Sequence, residues 1–584
     1  MLTKQTLANN HNFLSEAVFH LKSRLLIAKR LFVNTVTPKQ KLYHNKSLKQ
    51  QAVVSVSESE LWNADDNAEN WILTAGKIEN LRIAVKKING VEIDAGQVFS
   101  FWKYVGSPNK LKGYVLGREI REGCIVPTIA GGLCQLSNGL YDAALKANFD
   151  IIERHKHTRV IKGSLAEQDR DATVKWNYID LRFKANKPFR IEAELTADKL
   201  IIKFRSGGTG VTSEIDYATK LKPSQLNDCY SCGNFGCFNY PNPDKRASAK
   251  PITTFVLDEK WNEYNDYINK QASGDDYFIV PIHQSKFIRL NRYNWVIATN
   301  AKVKTLPLVA VKRAISLRLF AKGNVFKQAL NFDRQLAKAA SKNIPIECTH
   351  LVIAQNLLPF MFEYGALGGR TFDVLMNRLP FEQLHQCLNH AHTIHSRSET
   401  LNDFRAPANW VEFECIALTK ARHIVTPHQQ IANIFNNKAV KLNWALPNIG
   451  KKPLAGNKIL FPASAVGRKG AYEIKQLATE LNLALVVTGK ATEYENFWDG
   501  VKTEPAGQNI LDGIGLVIYP AYVEHRPVML LKALAAGIPV ITTTACGLQA
   551  HPNLTILPTG NFELLKQTVE LYLSKSKTFD TLNT

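Results

Sequence analysis

The chain has no apolar run approaching the roughly 20 residues that cross a bilayer. Acids are also scarce, with 51 Asp+Glu against 73 Lys+Arg in 584 residues. The first absence argues against an integral membrane protein. The second leaves a net charge of +22, which suits phosphate-bearing ligands or an anionic surface. No basic tail or stripe concentrates that charge, so nucleic acid is not an expected partner. Cysteine is sparse: nine residues, odd in number and scattered apart from one cluster, which does not read as a disulfide scaffold. The opening Met1-Leu-Thr-Lys-Gln-Thr-Leu-Ala lacks the basic-then-apolar order of a secretory signal. A cytoplasmic protein is expected.

The length supports about three or four domains. Residues 1–78 read as a basic helical segment that turns loosely polar through Ser55-Val-Ser-Glu-Ser-Glu-Leu61. Between Phe13 and Phe32, apolar residues fall at helical spacing with bases on the other side. Such a helix packs on a neighbouring domain or makes peripheral contact with an anionic membrane face. Residues 79–206 form a compact mixed unit, with a helix from about Ile78 to Ile88 and another after Gly131-Gly132. Its later strands, such as Lys199-Leu-Ile-Ile-Lys-Phe204, alternate with the period of a half-exposed antiparallel sheet. Residues 207–251 are a cysteine-bearing linker, and beyond 252 strands alternate with helices as in open α/β domains. A break near Leu446-Pro-Asn-Ile-Gly450 separates a first lobe, 252–446, from a second, 447–584. The expected fold class is α/β: an N-terminal α+β domain, then two Rossmann-like lobes with a cleft between them.

In the 79–206 unit, Cys134 follows two glycines and precedes an apolar helical stretch. Unpaired N–H groups and the macrodipole at a helix start stabilise a thiolate. His155 or His157 is a candidate base, and Asp171 or Asp180 a candidate to orient it, as in a thiol nucleophile served by an oriented histidine. A buried cysteine that merely packs helix against sheet is the competing reading. The blocks Gly96-Gln-Val-Phe-Ser-Phe-Trp102, Gly131-Gly-Leu-Cys-Gln-Leu-Ser-Asn138, Glu153-Arg-His-Lys-His157 and Asp171-Ala-Thr-Val174 resemble the VanW family. That resemblance implies an association with cell-envelope biology but no defined reaction.

Cys229, Cys232 and Cys237 are spaced Cys-x2-Cys-x4-Cys among glycines. Close thiolates of this kind suit zinc or an iron–sulfur centre, with a fourth ligand from elsewhere.

In the second lobe, Gly515-Leu-Val-Ile-Tyr-Pro520 is a buried-strand pattern, followed by a polar turn with Glu524, His525 and Arg526. A small-residue helix then ends at Gly537-Ile-Pro539 before the strand Val540-Ile-Thr-Thr543. This is a βαβ unit, and its turn lies at the strand edge where ligands bind. The segment resembles the nucleotide-sugar half of retaining GT-B glycosyltransferases, and Val466-Gly-Arg468-Lys469-Gly470 resembles their diphosphate loop. The resemblance implies that Lys469, with Arg468 beside it, neutralises a donor diphosphate and that Glu524 bonds the donor ribose. His525 and Arg526 share the turn as candidate sugar or phosphate contacts. Two positions depart from the family pattern: Lys532 stands where a second acid is expected, and Ser464 where an arginine is expected. In the first lobe, Gly368-Gly-Arg370 reads as a loop facing the cleft on the acceptor side.

The leading reading is a glycosyltransferase, of the retaining type, moving sugar from a nucleotide-sugar donor to an envelope or surface glycan. A non-catalytic glycan- or nucleotide-binding scaffold is the alternative to which Lys532 and Ser464 point. A third reading makes Cys134 the centre of an acyl transferase or amidase.

Overall fold

The computed structural model describes residues 13–36, 43–44, 46–62, 68–121, 124–157, 164–207, 227–228, 250–285, 290–297, 300–319, 325–450 and 452–582. They fall into two compact units: the chain up to residue 252 together with 345–349 and 364–371, and the rest of 253–584.

The first unit is α+β. After helix α1 (Phe13–Val36) come β1 (Val53–Glu60), α2 (Ala68–Ile88), β2 (Val91–Ile93), β3 (Val98–Ser100), β4 (Leu116–Arg121) and β5 (Cys124–Ile129). They are followed by α3 (Cys134–Lys146), β6 (Asp150–Glu153), β7 (Arg182–Lys184), β8 (Phe189–Leu195) and β9 (Lys199–Ser206). The main sheet runs β2-β8-β9-β1, with Tyr43–His44 on its edge, and all its pairings are antiparallel. Its core includes Phe183, Phe189 and Phe204, all fully buried, with Phe149 stacked on Phe204 at 5.4 Å.

Strand β1 occupies the stretch that reads as loosely polar. It pairs along its length with β9, and its inward positions include the buried serines Ser55 and Ser57. Helix α3 packs over it. Small side chains let that helix come close, and they also remove the apolar alternation that marks a strand. Helix α2 begins at Ala68 rather than near Ile78.

The second unit holds two parallel sheets. The first lobe comprises β10 (Ile252–Val256), α4 (Asn262–Gln271), β11 (Tyr277–Val280), β12 (Lys302–Thr305), α5 (Pro307–Leu319), α6 (Val325–Ser341) and β13 (Cys348–Ala354). It continues with β14 (Thr371–Leu375), α7 (Phe381–Ile394), α8 (Ala408–Lys420), β15 (His423–Thr426) and β16 (Ala439–Lys441). Its strand order is β12-β11-β10-β13-β14-β15-β16, and the pairings β10–β11, β11–β12, β14–β15 and β15–β16 are parallel.

The second lobe comprises β17 (Lys458–Phe461), α9 (Ala471–Glu480), β18 (Leu485–Val487), β19 (Thr503–Pro505), β20 (Ile514–Tyr519), α10 (Val528–Ala535), β21 (Val540–Thr543), β22 (Leu554–Leu557) and α11 (Phe562–Leu582). Its order is β19-β18-β17-β20-β21-β22, parallel throughout. Apolar runs such as Leu516–Val517–Ile518 are buried on both faces, as strands covered by helices on either side require.

In each lobe the order reverses beside the first strand: between β10 and β13, and between β17 and β20. Loops leaving the carboxyl ends of such a pair diverge and open a crevice. No described helix is long and apolar enough to cross a membrane.

Candidate functional site

In the second lobe, the loops after β17 and β20 meet at the reversal point. Lys469 belongs to the tight turn ahead of α9. Gly470 closes that turn at φ +78°, and a Cβ there would sit 2.2 Å from the Pro520 carbonyl oxygen, so only glycine fits. Lys469 Nζ then reaches Glu524 Oε2 at 2.8 Å. Tyr519 OH donates to the same oxygen at 2.6 Å. The other oxygen, Oε1, accepts the backbone N–H groups of His525 and Arg526 at 2.9 and 2.8 Å.

Burial by itself would push the Glu524 carboxyl up. The Lys469 and His525 charges and the hydrogen bonds from Lys469 and Tyr519 outweigh it and hold the group at about 2. Glu524 is thus a fixed anion whose two oxygens are both engaged.

The opposite wall comes from the first lobe. His428, buried just past β15, puts Nε2 3.2 Å from the Glu524 carbonyl oxygen, and its burial lowers its pKa toward the neutral ring. The Arg526 guanidinium stacks over Trp261 at 4.6 Å, and Arg468 over Phe404 at 4.5 Å. Arg378 and Lys469 lie close enough to bear on the His525 ring. The carboxyl ends of the two sheets therefore face each other, with Lys469 of the second lobe and His428 of the first both against Glu524. Lys532 is exposed and has no ion-pair partner among the described residues. The cation beside Glu524 is Lys469.

At the first lobe's own reversal point, a small crevice is lined by Asp258, Glu259, Trp261, Gln355, Asn356 and Asn377, among others. Arg313 joins Asp258 of this lining to Asp333 behind it: Nη1 lies 3.2 Å from Asp258 and 2.8 Å from Asp333. Burial raises Asp333 to about 7 against the pull of Arg313.

The Gly368–Arg370 loop does not face this cleft. It precedes β14, and so emerges at the amino edge of the sheet, opposite the ligand side. It belongs to the first unit, where Gly369 N donates to Thr196 O at 2.7 Å and Arg370 bonds the Cys348 and Ala366 carbonyls.

In the first unit, Cys134, His157 and Asp171 come together. Gly132 at φ +96° makes the turn into α3; a Cβ there would lie 2.1 Å from Lys77 Cγ. Cys134 is the first residue of α3. Asp171, fully buried, accepts from His157 Nδ1 at 2.7 Å and from its backbone N–H. Cys134 lies close enough to favour the charged form of the His157 ring, with its sulfur 3.7 Å from Thr173 Oγ1. With Nδ1 held by Asp171, Nε2 is the ring's remaining nitrogen. Burial disfavours the charged ring, but the interactions with Asp171 and Cys134 prevail and raise its pKa to about 10.

Side chains from α3 fix this geometry. Ser137 Oγ donates to Ala172 O at 2.5 Å, and Asn138 Oδ1 accepts from Ala172 N at 2.7 Å. Arg154 Nε holds the Asp171 carbonyl at 2.6 Å. These three lie inside the quoted sequence blocks, but sequence order does not show that they position Asp171. Of the alternatives, the His155 side chain is half exposed and nearest Glu153 at 3.6 Å. Asp180 bonds Ser100 Oγ at 2.6 Å and the Trp102 amide instead.

Cys229, Cys232 and Cys237 lie outside the described residues. Among the described ones, no group of three or more His, Cys, Asp or Glu is arranged to hold a metal.

Comparison with known proteins divides along the same line. Residues 76–205 match the family model described as VanW like protein. Over 129 residues the chain is 33% identical to the uncharacterized protein YoaR of Bacillus subtilis, covering 22% of this chain and 42% of that protein. Over 132 residues it is 32% identical to the vancomycin B-type resistance protein VanW of Enterococcus faecalis, covering 22% of this chain and 47% of that one. The chain thus spans less than half the length of each relative. Solved glycosyltransferases are among the structures similar to it. A sucrose-phosphate synthase from Thermosynechococcus elongatus matches at 13% identity and a TM-score of 0.33, over 56% of this chain and 90% of that one.

Proposed function

We propose that the second unit is a glycosyltransferase that takes sugar from a nucleotide-sugar donor held between its lobes. The observation that carries this is the Lys469–Glu524 pair at the strand-order reversal, 2.8 Å apart. Fixed cations in a closed cleft stabilise the negative charge that gathers on a departing nucleotide diphosphate. Lys469 is paired with Glu524. A donor diphosphate takes over Lys469, and the released Glu524 Oε2 then accepts a ribose hydroxyl. The cations near His525 supply further neutralisation. Retention at the sugar carbon belongs to this reading through the resemblance of the Lys469 and Glu524 segments to retaining enzymes. A cell-envelope glycan as acceptor is drawn from the company of the VanW-like segment.

Thermal-shift titration with UDP- and GDP-sugars, followed by a donor hydrolysis assay, tests it. A saturable rise in Tm that Lys469→Ala removes, together with turnover, supports the transferase. Binding without turnover makes the unit a nucleotide-sugar-binding scaffold, the reading that Lys532 in place of an acid favours. No response to any nucleotide sugar overturns both.

A further inference from the structure

We propose that the first unit carries a second, separate catalytic centre, in which Cys134 is a nucleophile for acyl transfer, His157 its acid–base and Asp171 a positioning residue. Three features converge on it. The His157 ring is clamped through Nδ1 by a fully buried carboxylate at 2.7 Å, which leaves Nε2 as the nitrogen that can exchange a proton. Cys134 is half-buried at the margin of the core, its sulfur 3.7 Å from Thr173 Oγ1 and 3.9 Å from the Val174 carbonyl. The backbone N–H groups of Leu133 and Cys134 have no acceptor among the described residues, and donors so placed suit a carbonyl oxygen that gains negative charge. A sulfur at a helix start near an imidazole oriented by a carboxylate is the arrangement of a thiol nucleophile with its acid–base.

The substrate class is a carboxamide or carboxylic ester. Cys134 Sγ attacks the carbonyl carbon and a C–S bond forms. The C–N or C–O bond breaks, and the His157 proton passes to the leaving amine or alcohol. Water or an acceptor amine then attacks the thioester and gives its proton to His157, and the thiolate leaves. No electrons are exchanged with any other group. This centre is independent of the nucleotide-sugar reading, and neither result bears on the other.

The test uses the full chain and two probes, iodoacetamide and p-nitrophenyl acetate, with modified cysteines assigned by peptide mass mapping. Exposed Cys415 is the internal reference. Cys134 is expected to alkylate at least tenfold faster than Cys415 at pH 6.5, and to carry the acetyl group released by hydroxylamine. His157→Gln should abolish that excess, and Asp171→Asn should shift its pH profile toward that of Cys415. Cys134→Ser, the conservative change, should melt like the wild type and lose the acetyl adduct. The proposal is overturned if Cys134 reacts no faster than Cys415 between pH 5 and 9. It is equally overturned if a folded His157→Gln protein keeps the wild-type rate and profile.

Discussion

Lys469 and Glu524 form an ion pair of 2.8 Å although 55 residues of chain separate them. They meet because β17 and β20 are neighbours where the strand order reverses. Both side chains are largely shielded, so the pair is more than a surface contact.

Removing the cation should weaken donor binding. A charge-assisted hydrogen bond contributes about 1.5–3 kcal/mol, so Lys469→Ala should raise Kd for a nucleotide sugar roughly tenfold to a hundredfold. Isothermal titration of the folded variant measures it.

Acid should unfold the second unit partly through Glu524. Its folded pKa, about 2, lies below the ordinary 4.5. The stability it contributes is therefore present above pH 4.5 and is lost as pH falls toward 2. At about 1.4 kcal/mol per unit, the contribution is on the order of 3 kcal/mol. Glu524→Gln should flatten the pH dependence of urea unfolding in that window.

The sign is opposite at His157. Its folded pKa of about 10 lies above 6.5, so its stabilisation is complete below pH 6.5 and is lost as pH rises through 10. Asp171→Asn, which removes one charge of a largely buried pair, should cost about 3–5 kcal/mol at pH 6. The Tm difference from wild type should shrink at pH 10.5.

Gly470→Ala forces a Cβ to within 2.2 Å of the Pro520 carbonyl oxygen at a φ of +78°. A loss of roughly 2 kcal/mol or more is expected, with weaker nucleotide-sugar binding because the turn carries Lys469. Chemical denaturation and titration read the two effects separately.

Arg313→Leu should leave Asp258 and Asp333 buried without their cation. A loss of about 3–5 kcal/mol follows. Urea unfolding that shows less than 1 kcal/mol would mean that the two acids simply take up protons.

The second lobe is the more legible part of the sequence. Its strands are continuous apolar runs, and Glu524 and Lys469 follow β20 and β17 directly, so local pattern places both at the ligand edge. Cys134, His157 and Asp171 are legible as residue types in order, but the pattern leaves His155 and Asp180 equally open. Strand β1 is hidden because its inward residues are serines. The Gly368–Arg370 loop misleads because its glycines look like those of a ligand loop, whereas the edge it occupies depends on the strand that follows it.

Outside strand β1, sequence alone determined the main element types, the composition of each lobe and the identities of the charged and thiol groups, because periodicity, turn residues and side-chain chemistry are local. Only the tertiary structure decided the partners: Tyr519 and Lys469 for Glu524, His428 across the cleft, and His157 with Asp171 beside Cys134. Those pairings depend on strand order and loop direction, which bring together groups far apart in the chain and which no local pattern encodes.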